Sequence, residues 1–377
     1  MIKTHGETPL WLRWFKRIGL AVLILALVVV AAGHYYVTKQ VRWLPGESFS
    51  GMPTQDLQQL EDALQAHIQT LAGEIGERSL YKPEGMRAAE RYITEQFASI
   101  GLDPQIQHYT VEAELIQQKT ERIRNHYGRQ LHGELPAYPN ELGDAALKNI
   151  WVEIPGTLTP EPERLLVIGA HFDTVSNTPG ADDNGSGIAG LLEIARVLSS
   201  TRPKVTVILV ALSAEELPIG GMEGESGSSV FLDHLLERNR TPFGMVSLET
   251  MGYYRDEEGS QKYPAPLDRY YPSQGNFIAF VSDSTSREFV RHFGGLFRQR
   301  AEIPSQGATI PASLVPDVLR SDHETYILRG IPGMMVTDTA NFRVPHYHKS
   351  TDTVARVNIV NLARVVQGLI GAVNDMR

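Results

Sequence analysis

Three aliphatic stretches in this sequence are each followed closely by residues able to hold a metal. Leu165 to Ala170 runs into His171-Phe172-Asp173, Val205 to Leu212 precedes Glu215-Glu216, and Met245 to Leu248 leads to Glu249. Imidazole and carboxylate are donors that zinc accepts. The chain has no cysteine, which excludes disulfides, thiolate sites and a cysteine nucleophile. Between the first two stretches lies Gly180-Ala181-Asp182-Asp183-Asn184-Gly185-Ser186-Gly187. Alone, this segment reads as a turn and a helix cap. Set between His171 and Glu215, it becomes a further source of carboxylates.

For these residues to meet, the elements carrying them must lie side by side. The apolar runs lack polar alternation, as strands buried on both faces do. Phe277 to Val281 and Gly333 to Val336 continue the series, and helical stretches fall between: Gly187 to Leu198, Ser228 to Arg238, Ser286 to Arg298 and Asn358 to Asn374. Strands alternating with helices predict an α/β fold, a mostly parallel mixed sheet with helices on both faces. In such sheets ligands bind beyond the carboxyl ends of the strands, which is where the candidate residues stand. Upstream, Leu57 to Leu71 has helical spacing. So do Met86, Ala89, Ile93, Phe97 and Ile100, with Gly101 at the helix end. Gln117 to Ala146 reads as a polar surface excursion. With no composition break, one domain is expected over 55–377.

The ordered set of His171-Phe172-Asp173, GADDNGSG, Glu215-Glu216, Leu248-Glu249 and His348-Lys349-Ser350-Thr351-Asp352-Thr353 resembles the M28 family of zinc peptidases. The resemblance covers Gly169 to Thr353, and the helix at Met86 to Ile100 looks like the family's amino-terminal element. It implies two zinc ions per chain. His171 and Glu249 would bind one, Glu216 and His348 the other, and Asp183 would bridge them. Glu215 would be the general base, and Asp173 would orient His171. Many members have Asp where this chain has Glu249. Other divalent metals suit such ligands too.

Several residues have competing readings. His346 stands two positions before His348, but His348 has the HxxxD spacing. Ser321-Asp322-His323 either supports the transition state or caps a helix, and Asp182, Asp338 and Asp352 read as supporting carboxylates. Gly252 to Asn276 is long and carries five tyrosines and three prolines. Long loops in compact domains are usually functional or disordered; the aromatics and prolines argue against disorder, and the loop reads either as a wall of the substrate pocket or as a packed surface loop.

Ile18 to Val37 is uncharged, mostly aliphatic and about long enough to span a bilayer, with Trp11, Trp14, Tyr35 and Tyr36 at its flanks. Lys3, Arg13, Lys16 and Arg17 precede it against a single Glu7. The positive-inside rule then keeps residues 1–17 in the cytoplasm and sends everything after the span outside. Residues 38–54 read as a linker. Val30-Ala31-Ala32 also resembles a cleavage site, so a signal peptide is the competing reading. The formal net charge of -9 gives no electrostatic reason to bind nucleic acid.

The expected function is a zinc-dependent exopeptidase, an aminopeptidase acting on peptides outside the cytoplasmic membrane. A carboxypeptidase or a deacylating amidohydrolase would use the same metals. A glutaminyl cyclase shares the fold but uses one zinc, and a receptor-like relative would have lost ligands that this chain keeps.

Overall fold

A computed structural model describes residues 10–42, 57–127, 135–158, 163–216, 218–220 and 224–377. Helix α1 (Leu10–Tyr36) ends in a wider π turn, Val37–Val41. Helix α2 (Leu57–Ile68) likewise continues as a π segment, Gln69–Ile75. Helix α3 (Pro83–Ser99) has proline in its first turn, where no N–H is needed. Gly101 follows it at φ +80°, a conformation open to glycine.

Strand β1 (Gln105–Val111), helix α4 (Ala113–Tyr127) and strand β2 (Ala145–Ile154) come next. Then follow β3 (Leu165–His171), α5 (Gly185–Thr201), β4 (Thr206–Leu212), α6 (Gly227–Leu236) and β5 (Gly244–Glu249). The remaining elements are β6 (Ile278–Ser282), α7 (Arg287–Arg298), β7 (Ser305–Thr309), α8 (His323–Leu328), β8 (Gly333–Thr337) and α9 (Ile359–Asp375).

The eight strands form one sheet in the order β1-β2-β4-β3-β5-β8-β6-β7. The central pairings β4/β3, β3/β5 and β5/β8 are parallel, as is β6/β7; β1/β2, β2/β4 and β6/β8 are antiparallel. The mixed, mostly parallel sheet expected from the sequence is therefore present, with helices on both faces. Along β3, Leu166, Ile168 and Ala170 pack into a core with α2, α3, α5, α7 and α9, while Leu165 and Val167 pack on the other face with α6 and α8. Every residue of β3, β4 and β5 is buried, which is why these strands read as unbroken apolar runs.

Three features depart from the sequence reading. The excursion expected over 117–146 contains most of α4, whose apolar stripe is short: Ile116, Thr120 and Ile123 face inward. Strands β1 and β7 form the two edges of the sheet; β1 interleaves Ile106, Tyr109 and Val111 with polar residues and β7 carries polar or small ones, so neither gave an apolar run. Of the expected linker, residues 43–54 lie outside the described residues, whereas 38–42 continue α1 and pack on the β7 edge. Thr309 Oγ1 donates to the Gln40 carbonyl at 3.2 Å, and Val41 is buried against Leu267, Tyr271, Ile310 and Val318.

Candidate metal centre

The carboxyl ends of β3, β4 and β5 bring His171, the Glu215-Glu216 turn and Glu249 to one edge of the sheet. Asp183 arrives on the turn that opens α5, and His348 on the loop before α9, at φ +57°. The turn before α5 is tied down by Asn184, which caps the helix by accepting from Gly187 N at 3.1 Å and donates to the Leu248 carbonyl at 2.8 Å. That bond joins the Asp183 turn to the strand end that carries Glu249.

Asp183 faces both histidines. Its Oδ1 is 3.5 Å from His171 Nε2 and its Oδ2 is 3.1 Å from His348 Nε2. Glu249 Oε2 lies 3.2 Å from His171 Nε2, and Glu216 Oε1 lies 3.4 Å from His348 Nε2. Potential ligand atoms of His171, Asp183 and Glu249 all fall within 4.8 Å of one another, as do those of Asp183, Glu216 and His348. Glu215 forms a third such group with His171 and Glu216, its Oε2 3.9 Å from His171 Nε2.

Electrostatics single this cluster out. Burial disfavours the charged forms of its members, yet the carboxylates around each histidine win. Glu249 and Glu215 hold the His171 imidazole well above its usual range, and Glu216 with Asp183 pushes His348 up to about 10. Asp183 is held low despite burial by His348, His171 and Arg78. Burial and then the charges of Glu249, Glu216 and Asp322 raise Glu215 well above the ordinary carboxylate range, against the opposing pull of His171. His171 Nε2, both oxygens of Asp183 and Glu216 Oε1 are buried with no hydrogen-bond partner. Four clustered carboxylates with unpartnered buried donors are what divalent cations offset. The residues therefore fit a metal.

The supporting residues make contacts beyond those the sequence indicates. Asp173 lies against His171, its main-chain oxygen 3.1 Å and its Oδ1 3.6 Å from His171 Nδ1. The carboxylate accepts from Glu215 N at 3.2 Å and Glu216 N at 3.0 Å, holding the turn that carries both glutamates. His323 is buried, but its Nε2 donates to the Val318 carbonyl at 2.9 Å, not to the cluster. Asp352 accepts from Asp182 N at 2.9 Å and Asp183 N at 3.0 Å. Asp182 in turn accepts from Gly252 N, and Asp338 from Tyr253 N. Asp322 lines a polar cleft with Glu215, Ser226 and Ser228, and burial pushes its carboxyl up to about 7. His346 bonds Thr351 Oγ1 at 3.0 Å, outside the cluster.

Two arginines that sequence reasoning passed over hold the surroundings together. Arg78 is fully buried and donates to main-chain carbonyls of Leu71, Gly76, Phe172, Pro179 and Gly180. Arg343, buried near the loop after Glu249, donates to Gln261 Oε1 at 2.7 Å and the Phe277 carbonyl at 2.8 Å. That loop, 252–276, borders a mostly apolar cavity of about 110 Å³ that Glu249 also reaches. Tyr263 and Tyr271 stack at 5.5 Å in its wall.

The architecture is that of zinc-dependent exopeptidases. A zinc aminopeptidase from Bacillus subtilis superposes with a TM-score of 0.56 at 16% identity, covering 88% of this chain and 95% of that one. The chain belongs to peptidase family M28, whose profile matches residues 149–373. Escherichia coli (strain K12) protein YfbL is 39% identical over 220 residues, 56% of this chain and 67% of that protein. Aminopeptidase YwaD of Bacillus subtilis (strain 168) is 36% identical over 128 residues, 33% of this chain and 25% of YwaD. The chain is thus an M28 metallopeptidase with aminopeptidase relatives, and it spans two thirds of one relative and a quarter of the other. Preceding the matched region, Arg17–Val41 is apolar and long enough to cross a membrane, as either an anchor or a signal sequence.

Proposed function

We propose that this protein is a two-zinc aminopeptidase anchored by α1, with its catalytic domain over 55–377 on the non-cytoplasmic side. The observation that supports it most is Asp183, which offers one oxygen to each histidine at 3.5 and 3.1 Å. A bridging carboxylate between two imidazole-carboxylate pairs suits two cations. His171 and Glu249 would hold one, Glu216 and His348 the other. Zinc ions held there would supply Lewis acidity and lower the pKa of water.

Glu215 is the general base in this reading. Its side chain is 24% exposed, more than that of any proposed ligand, so it faces the space a substrate enters. The carboxylate takes a proton from the attacking water and returns it to the leaving amine. Asp173 keeps the base in place through two main-chain amides. The apolar cavity receives the side chain of the substrate residue next to the scissile bond. Leu267, Phe277 and Met335 line it, favouring aliphatic and aromatic residues.

The test is elemental analysis of the full chain purified without chelator, followed by a panel of aminoacyl substrates. Two zinc ions per chain and faster release of leucine than of aspartate support the proposal. One tightly held zinc with cyclisation of amino-terminal glutamine points to a cyclase, and no metal after zinc is added back overturns the metallopeptidase site.

A further inference from the structure

Residues Ile18 to Tyr35 of α1 expose apolar side chains on every side, with Val22, Leu25 and Val30 each more than 60% exposed. A helix hydrophobic all round needs an apolar medium. Yet its carboxyl end is not free. The five residues Val37–Val41 follow it directly and are fastened to the folded domain. Arg291 Nη2 donates to the Lys39 carbonyl at 2.6 Å, and Thr309 Oγ1 to that of Gln40. Val41 is 4% exposed, packed with Leu267, Tyr271, Ile310 and Val318. His34, still within α1, lies 5.6 Å from the Tyr270 ring, and Arg42 sits over Tyr271.

No slack therefore separates the helix from the domain, and the face around the fastening must lie against whatever surrounds the helix end. That face has its own apolar projection. The turn from Pro311 to Val315 is closed by Leu314 N donating to the Pro311 carbonyl at 2.8 Å and pinned by Ala312 N donating to Asp283 at 2.7 Å. Leu314 stands out from it at 71% exposure, while its neighbours Ala312, Val315 and Leu319 pack into the same cluster as Val41. Exposed Lys39, Arg42 and Arg269 are placed to meet anionic headgroups there.

We propose that the β7 edge of the catalytic domain is a lipid-binding face, seated on the bilayer by the end of α1, with Leu314 inserted at the headgroup level. The proposal rests on α1 being retained as an anchor. Seat and apolar cavity share a wall, since Leu267, Tyr271, Ile310 and Val318 belong to both. The opposite edge of the sheet, β1, faces away from the membrane.

The absence of cysteine makes the test direct. The full chain carrying Leu314→Cys, and separately Ile106→Cys on β1, is labelled with a polarity-sensitive fluorophore and placed in vesicles of phosphatidylethanolamine and phosphatidylglycerol. Ile106 is the matched control, 44% exposed on the far edge. We expect blue-shifted emission at 314, quenched at least twofold more than at 106 by lipids with shallow nitroxides. Equal quenching at both positions overturns the proposal. So does an intact mass showing removal of α1, with the chain free in solution. The readout uses no substrate, so failure of the peptidase reading leaves it unaffected.

Discussion

Arg78 Nε donates to the carbonyl oxygen of Phe172 at 2.7 Å, one residue beyond His171. The same guanidinium reaches the Pro179 carbonyl at 2.7 Å and the Gly180 carbonyl at 2.9 Å, three positions before Asp183. One buried cation thereby fixes the segments that carry His171 and Asp183, though it touches neither side chain. Burial lowers its pKa to about 10, against the pull of Asp352, Asp173 and Asp183, so it stays charged at neutral pH. Lysine keeps the charge but loses the planar fork. Arg78→Lys should cost about 3 kcal/mol or more of stability, measured by denaturant unfolding, since several charged hydrogen bonds go unmade. Metal content of the folded fraction should fall with it.

Glu215→Gln separates a base from a ligand. As the base, Glu215 contributes to the rate by about 10²–10⁴-fold, and its removal should leave metal content unchanged. Its place within a possible ligand group with His171 and Glu216 gives the alternative. Loss of one metal per chain in the variant would make Glu215 a ligand. Kinetics and elemental analysis on the same preparation decide.

Gly220 donates from its N–H to the Glu216 carbonyl at 2.9 Å, and a Cβ there would overlap the Glu215 carbonyl oxygen. Gly220→Ala must therefore displace the glutamate turn. Misplacement by about 1 Å costs on the order of 10²-fold in rate. We expect that loss in kcat, together with a lowered melting temperature, because Ala214 and Ile219 on either side of the glutamates belong to the main core.

Away from the centre, buried Glu193 pairs with Arg196 at 2.6 Å and His67 at 3.4 Å. Burial alone would raise its pKa, but His67 and Arg196 outweigh that and hold it below the usual value. A lowered folded-state pKa stabilises above the unfolded value and ceases to do so as pH falls through the folded one. Glu193→Gln should thus destabilise the fold by about 1–3 kcal/mol at pH 7. The gap between variant and parent should shrink below about pH 4, as followed by denaturant unfolding at each pH.

What could be read from the sequence followed from burial. Strands β3, β4 and β5 announce themselves as apolar runs because both faces are covered, and His171, Glu216 and Glu249 stand out because they follow such runs. Arg78 left no trace, since bonds to main-chain carbonyls require no particular partner residues. The second service of Asp173 left no trace for a similar reason: its carboxylate also accepts from the amides of Glu215 and Glu216, which sequence spacing does not reveal. Edge strands β1 and β7 pack too few large apolar side chains to show a pattern.

The Asp352 carboxylate joins Asp182 and Asp183 across 170 and 169 positions of chain. A ribosome making this protein finishes His171, Asp183, Glu216 and Glu249 well before it reaches His348 and Asp352. Until then the turn carrying Asp183 lacks its clamp and the second imidazole is missing. On the proposed ligand set, a nascent chain would therefore lack one of its two metal-holding groups through most of its synthesis, and would complete it only when the stretch leading into α9 arrives.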